Sequence, residues 1–197
     1  MSPSEYDPLF NPARTGEDDL EPVRERFRAA SRPFLRSPWS WLTWSILLPV
    51  AALATPVAVG RAGPAGALFL WSATVLVGGV VEILAILRAG GGPGSTPLAG
   101  WVLRLQGNLS LVAVVLSIFL LWQDLAWALP GVWLLVLGHS FYMLGGVAFE
   151  PFRLYGLLYQ VGGAAALWPD GAPLPVFAAT AAVGNLWMAL AVWRDTR

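Results

Sequence analysis

The sequence predicts an all-α fold, a polytopic helical bundle of an integral membrane protein with six transmembrane helices. Two observations carry this prediction. The chain of 197 residues is 56% hydrophobic and only 12% charged, which is too apolar for a surface that faces water. Its apolar residues also lie in stretches long enough to cross a bilayer, and short polar or Pro/Gly segments separate them.

A helix needs about 20 mainly apolar residues to cross roughly 30 Å of hydrocarbon. The stretches that meet this need are approximately 39–59, 65–87, 101–122, 127–148, 152–168 and 174–193. The fifth is the shortest and covers only about 25 Å. The chain therefore divides into a cytoplasmic N-terminal arm, residues 1–37, and a transmembrane domain, residues 38–197.

Within the arm, apolar residues recur at steps of three and four. They are Leu20, Val23, Phe27, Ala30 and Phe34. This spacing predicts a short amphipathic helix that rests on the inner leaflet. The alternative is a docking arm for a partner protein, because "EYDPLFNP" places Tyr6, Leu9 and Phe10 among residues that favour turns.

Local signals mark the ends of the spans. Ser37 and Pro38 suit the start of the first span, because serine caps helices and proline fits the first turn. "RAGPAG" separates spans one and two, and the Gly/Pro-rich residues 88–100 form the longest internal loop. "QDLA", "FEP" and "PDGAPLP" make the remaining connections.

The orientation follows from the arginines, because positively charged flanks resist translocation. With the N-terminus in the cytoplasm, nearly all of them flank the inner face: Arg24, Arg26, Arg28, Arg32, Arg36, Arg88, Arg104, Arg153, Arg194 and Arg197. Arg61 then lies outside. The sequence thus predicts a multi-pass protein of the cell (inner) membrane with both termini in the cytoplasm.

Polar side chains inside the spans are candidate functional residues, because they are costly in hydrocarbon. Asn108 lies about 10 Å above the inner face, Gln160 and Asn185 about 12 Å, and His139 about 13 Å. Tyr142 and Tyr159 lie close by. This polar intramembrane layer is either a set of hydrogen bonds between helices or a ligand site in a cavity open to the cytoplasm.

Two further features concern the inner half of the spans. Glu82 and Arg104 have opposite charges at similar depth, which predicts an ion pair. "RLQGNL" and "RLYGLL" open spans three and five, so residues 104–148 and 153–193 could be repeated helical hairpins with His139 and Asn185 in equivalent places. Chance similarity between apolar segments is the competing explanation.

The residues offer little for catalysis. The chain has no cysteine and one histidine, so thiolate chemistry and cysteine-ligated metals are excluded, and we expect no metal site, no cofactor and no catalytic residue. A haem or pigment on His139 is the alternative to an absence of cofactor. Ser140 points about 100° away from His139 on a helix, so the two do not form a nucleophile and base.

The favoured function is therefore a non-catalytic accessory, assembly or scaffold subunit of a membrane complex. Its partners are the lipid bilayer and either a membrane protein or a second copy, and a net charge of zero gives no reason to expect nucleic acid. The alternatives are a small-solute transporter or channel that uses the polar layer and, third, a lipid-modifying enzyme that uses His139 and Glu82.

Overall fold

The computed structural model describes residues 37–88, 97–145, 149–168 and 171–195, with positions 22 and 25. The interfacial helix and docking segment predicted for the arm lie outside the described residues, as does most of the Gly/Pro-rich loop. In the described part every regular element is a helix, which confirms the all-α class. The helices are α1 (Pro38–Arg88), α2 (Pro97–Trp122), a 3-10 turn (Ala126–Ala128), α3 (Leu129–Gly145), α4 (Pro151–Ala166) and α5 (Pro173–Asp195).

α1 is a hairpin whose two arms, residues 38–61 and 64–88, meet at a break. Ala62 (φ −137°, ψ 19°) and Gly63 (φ 60°, ψ −157°) leave helical geometry, and the positive φ at Gly63 favours glycine. The break lies within the predicted "RAGPAG" connection. Trp44 Nε1 donates to Glu82 Oε2 at 2.7 Å and Trp71 Nε1 to Thr55 Oγ1 at 3.0 Å, so the arms lie antiparallel.

α2 and α3 form a second antiparallel pair. Trp133 Nε1 donates to Ser117 Oγ at 3.0 Å, and Ser117 Oγ donates to the Ala113 carbonyl at 2.7 Å. Asp124 has a φ of 58° in the connection between them. Of the α2 side chains described, residues 104–122, Ala113 alone is fully buried, so α2 lies at the edge of the bundle.

The same series of hydrogen bonds, from an indole to a hydroxyl and from that hydroxyl to a backbone carbonyl, occurs in both hairpins. In α1, Trp71 donates to Thr55 Oγ1, which donates to the Ala51 carbonyl at 2.7 Å. In both cases the hydroxyl residue follows the carbonyl residue by four positions and precedes the tryptophan by 16. This recurrence relates α1 to α2–α3, whereas the repeat suggested by the sequence relates residues 104–148 to 153–193.

α3 and α4 approach to backbone contact through glycines. A methyl group placed at Gly138 would lie 2.7 Å from the Gly156 carbonyl oxygen, and one at Gly156 would lie 2.6 Å from the Gly138 oxygen. A turn or two away, Gly131 and Gly163 face one another in the same way, each blocked at 2.9 Å by the other's carbonyl oxygen. Small residues allow membrane helices to approach one another this closely.

Aromatic rings close one end of the bundle. The Trp41 ring lies 5.9 Å from Phe141, 5.9 Å from Phe152 and 5.5 Å from Tyr155, measured between centroids. These contacts bring together the start of α1, the end of α3 and the start of α4. At the other end, Trp71 meets Phe177 of α5 edge to face at 5.6 Å.

Among the described residues, four stretches are candidate membrane spans by length and composition: Pro38–Ala85, Arg104–Trp122, Ala126–Gly145 and Pro173–Asp195. The sequence predicts six. The difference has two causes: the first stretch contains both arms of α1, and α4 has 16 residues, which rise only about 24 Å.

We expect Gly156→Ala to lower the free energy of unfolding by roughly 1–3 kcal/mol, because the added methyl group overlaps the α3 backbone. Gly79→Ala is the matched control, since it also adds a methyl group to a glycine within a helix but meets nothing within 4 Å. Thermal unfolding of the purified variants in one detergent measures both. Equal losses in the two variants would contradict close packing at Gly156.

Candidate functional site

Asn185 on α5 is the centre of a buried polar cluster with Tyr155 and Tyr159 of α4. Tyr155 Oη donates to Asn185 Oδ1 at 3.0 Å, and Asn185 Nδ2 donates to Tyr159 Oη at 2.8 Å and to the Ala181 carbonyl at 2.8 Å. All three side chains are at most 2% exposed. Both amide protons and the amide oxygen of Asn185 thus have partners inside the protein.

Local sequence positions this cluster. Tyr155 and Tyr159 are four residues apart and share one face of α4, with ring centroids 4.4 Å apart. Gly184, the neighbour of Asn185, makes room for them, because a methyl group there would lie 2.7 Å from Tyr159 Cε2 and 3.0 Å from Tyr155 Cε2. Gly184 and Asn185 together therefore allow both tyrosines to pack against α5.

Aromatic side chains enclose the cluster on its other side. Trp41 meets the Tyr155 ring edge to face at 5.5 Å, and Phe141 does so at 4.8 Å. The cluster consists of one amide and two phenols, none of which carries a charge at neutral pH. Its arrangement suits a clamp between α4 and α5.

Two predicted members of the polar layer, Asn108 and His139, lie elsewhere. Both are exposed, on α2 and α3 respectively. Neither side chain has a hydrogen-bond partner among the described residues. The structure therefore brings Tyr159 and Asn185 together and leaves Asn108 and His139 on the outside of the bundle.

The remaining members of the layer pack at the α3–α4 contact. Gln160 is half-buried, and its Cγ lies close above Gly138, 3.0 Å from the position of an added methyl group. Tyr142 lies under the Arg153 guanidinium, whose carbon is 5.5 Å from the ring centroid. Neither side chain contacts the Asn185 cluster through a hydrogen bond in the described part of the chain.

Glu82 has a different partner from the one predicted. It accepts the hydrogen bond from Trp44 of the neighbouring arm, while Arg104 is exposed on α2. No ion pair joins them within the described ranges. The reason is that α2 packs mainly on α3 and the 3-10 turn rather than on the second arm of α1.

His139 and Ser140 lie on different faces of α3. Ser140 is 1% exposed and its Oγ has no hydrogen-bond partner among the described residues, whereas His139 faces outward. They do not form a nucleophile and base. The described residues also contain no group of three His, Cys, Asp or Glu side chains that could hold a metal ion.

The predicted layer does not include Tyr155, although the sequence carries a signal for it. Tyr155 precedes Tyr159 by one helical turn and therefore shares its face of the helix.

Comparison of the chain with models of protein families, with curated proteins and with solved structures finds no match. The site must be interpreted from its own geometry.

A double-mutant cycle tests the clamp. We expect Asn185→Ala and Tyr159→Phe each to lower stability and to show a coupling energy of about 0.6–1.7 kcal/mol, the range for hydrogen bonds between membrane helices. Asn108→Ala combined with Tyr159→Phe is the matched control and should be additive within about 0.5 kcal/mol. Unfolding in detergent measures the stability of each variant. If the losses from Asn185→Ala and Tyr159→Phe are additive, the clamp is refuted.

Proposed function

We propose that this chain is a non-catalytic multi-pass protein of the cell (inner) membrane, and that it serves as an accessory, assembly or scaffold subunit of a membrane complex. The observation that carries the proposal is the exposure of Asn108 and His139 on helices whose surroundings are apolar. We call these two exposed residues, one on α2 and one on α3, the polar outer face.

The proposed topology has six crossings. Each arm of α1 exceeds the length of about 20 residues that a crossing needs, and α4 makes a short fifth crossing before α5. The aromatic contacts among Trp41, Phe141 and Phe152 support a common end for three helices. With that end in the cytoplasm, Arg153 lies inside, Arg61 lies outside, and both termini are cytoplasmic.

An amide and an imidazole that face hydrocarbon without a partner are costly, since each unpaired polar group loses several kcal/mol of hydration, on the order of 2–7 kcal/mol in apolar solvents. Exposed apolar neighbours on the same helices support a position in hydrocarbon for these residues: Leu111 is 60% exposed and Met143 is 56% exposed. A partner helix that supplies hydrogen bonds to the polar outer face removes this cost. The partner is another membrane protein or a second copy of the chain.

The alternative functions have less support. Transport through the polar layer would use Asn185, but its amide protons and oxygen are occupied by Tyr155, Tyr159 and the Ala181 carbonyl. A lipid-modifying enzyme based on His139 and Glu82 would need the two to act together. Glu82 is instead held by Trp44 within the α1 hairpin.

Co-purification tests the proposal. We expect the full chain, extracted in mild detergent, to bring down a partner in fixed ratio, and we expect the double variant Asn108→Leu with His139→Leu to lose at least 90% of it, because two hydrogen bonds to charged or polar partners together account for roughly tenfold or more in affinity. Ser72→Leu is the matched control, since Ser72 is an exposed polar residue on the second arm of α1.

Two measurements complete the experiment. The mass of the purified assembly distinguishes a second copy from a different protein, and deletion of residues 1–36 tests whether the arm contributes to docking. A monomer that carries no partner, with the double variant behaving identically, would overturn the proposal. Equal loss in Ser72→Leu would instead show a general effect on insertion or folding.

A further inference from the structure

A cleft of about 310 Å³ lies where the start of α4 meets the end of α5. Most of its lining is apolar and includes Phe149, Trp187, Leu190 and Ala191, which we call the floor. Arg194 and Asp195 also line it, at the point where α5 ends, and we call this end the rim. The Asn185 cluster and the polar outer face do not contribute to it.

The rim charges are opposite in sign, adjacent and exposed. Neither Arg194 nor Asp195 has an ion-pair partner within the described ranges, and they do not pair with each other. A guanidinium suits a phosphate, which accepts two parallel hydrogen bonds. A carboxylate suits a primary ammonium, whose three protons are donors. The rim thus presents complementary groups for a zwitterion.

In the proposed topology the cleft begins at the membrane surface, where α5 ends, and the inference rests on that topology. Trp187 precedes Asp195 by eight positions on α5, so the floor extends about 12 Å along the helix from the rim. Leu190, on the floor, is 45% exposed, so the cleft is open to the surrounding bilayer. A headgroup at the rim would therefore place the glycerol and the first part of an acyl chain against Trp187 and Leu190.

From this arrangement we infer that the cleft binds a phospholipid with a phosphoethanolamine headgroup. The Arg194 guanidinium binds the phosphate and the Asp195 carboxylate accepts hydrogen bonds from the ammonium group. An anionic headgroup satisfies Arg194 but places no positive charge at Asp195. A phosphocholine headgroup has the charge but no N–H donor, so it also binds less well.

Lipid titration followed by native mass spectrometry tests the inference on the full chain in detergent. The probes are phosphatidylethanolamine, phosphatidylcholine and phosphatidylglycerol with the same acyl chains. We expect phosphatidylethanolamine to bind most tightly. Arg194→Gln should weaken its binding roughly tenfold, and Asp195→Asn should remove the preference over phosphatidylglycerol.

Arg88→Gln is the matched control, because Arg88 is an exposed arginine at the end of the second arm of α1 and lies outside the cleft lining. It should leave the binding of all three lipids unchanged, and thermal unfolding should show that every variant is folded. Equal weakening by Arg88→Gln, or no preference among the lipids, would overturn the inference. Displacement of the lipid by soluble phosphoethanolamine would also overturn it, because the site would then belong to a soluble ligand.

Discussion

The backbone contact between α3 and α4 at Gly138 and Gly156 is the constraint from which the rest of the arrangement follows. Because Gly138 must face α4, the next residue, His139, is rotated by about 100° and faces away from that contact. The same approach brings Phe141 against Tyr155. A side chain larger than hydrogen at Gly138 or Gly156 would separate the helices, and the aromatic closure over the Asn185 cluster would open with them.

Three tryptophans form a regular set of hydrogen bonds between neighbouring helices. Each indole N–H that joins the two helices of a hairpin has an acceptor: Glu82 for Trp44, Thr55 for Trp71 and Ser117 for Trp133. This pattern is expected where no water is present to satisfy a buried donor. Asn108 and His139 differ from these tryptophans, because they lie on the outside of the bundle and have no hydrogen-bond partner among the described residues.

Much of the fold could be predicted from the sequence, because proline and glycine end helices locally. The length of an apolar stretch also indicates whether it is long enough to cross a bilayer. The height of a residue along its helix also follows from counting residues. The sequence does not predict whether a side chain points into the bundle or out of it, because that depends on which neighbouring helix each face contacts. Asn185 and His139 share a predicted depth, yet one is enclosed by tyrosines and the other is exposed. Glu82 and Arg104 also share a predicted depth, yet no ion pair joins them in the described part of the chain.

The weak attachment of α2 has its own consequence. Of its described side chains only Ala113 is buried, and among the described residues one side-chain hydrogen bond, from Trp133 to Ser117, joins it to α3. In water such a helix would be unstable, but in a bilayer its backbone hydrogen bonds are internal and its apolar side chains are solvated by lipid. Helix association there rests on packing and on polar contacts rather than on hydrophobic burial. A helix with so little packing inside its own chain, and with Asn108 on its surface, therefore has most of its potential contacts left for another molecule.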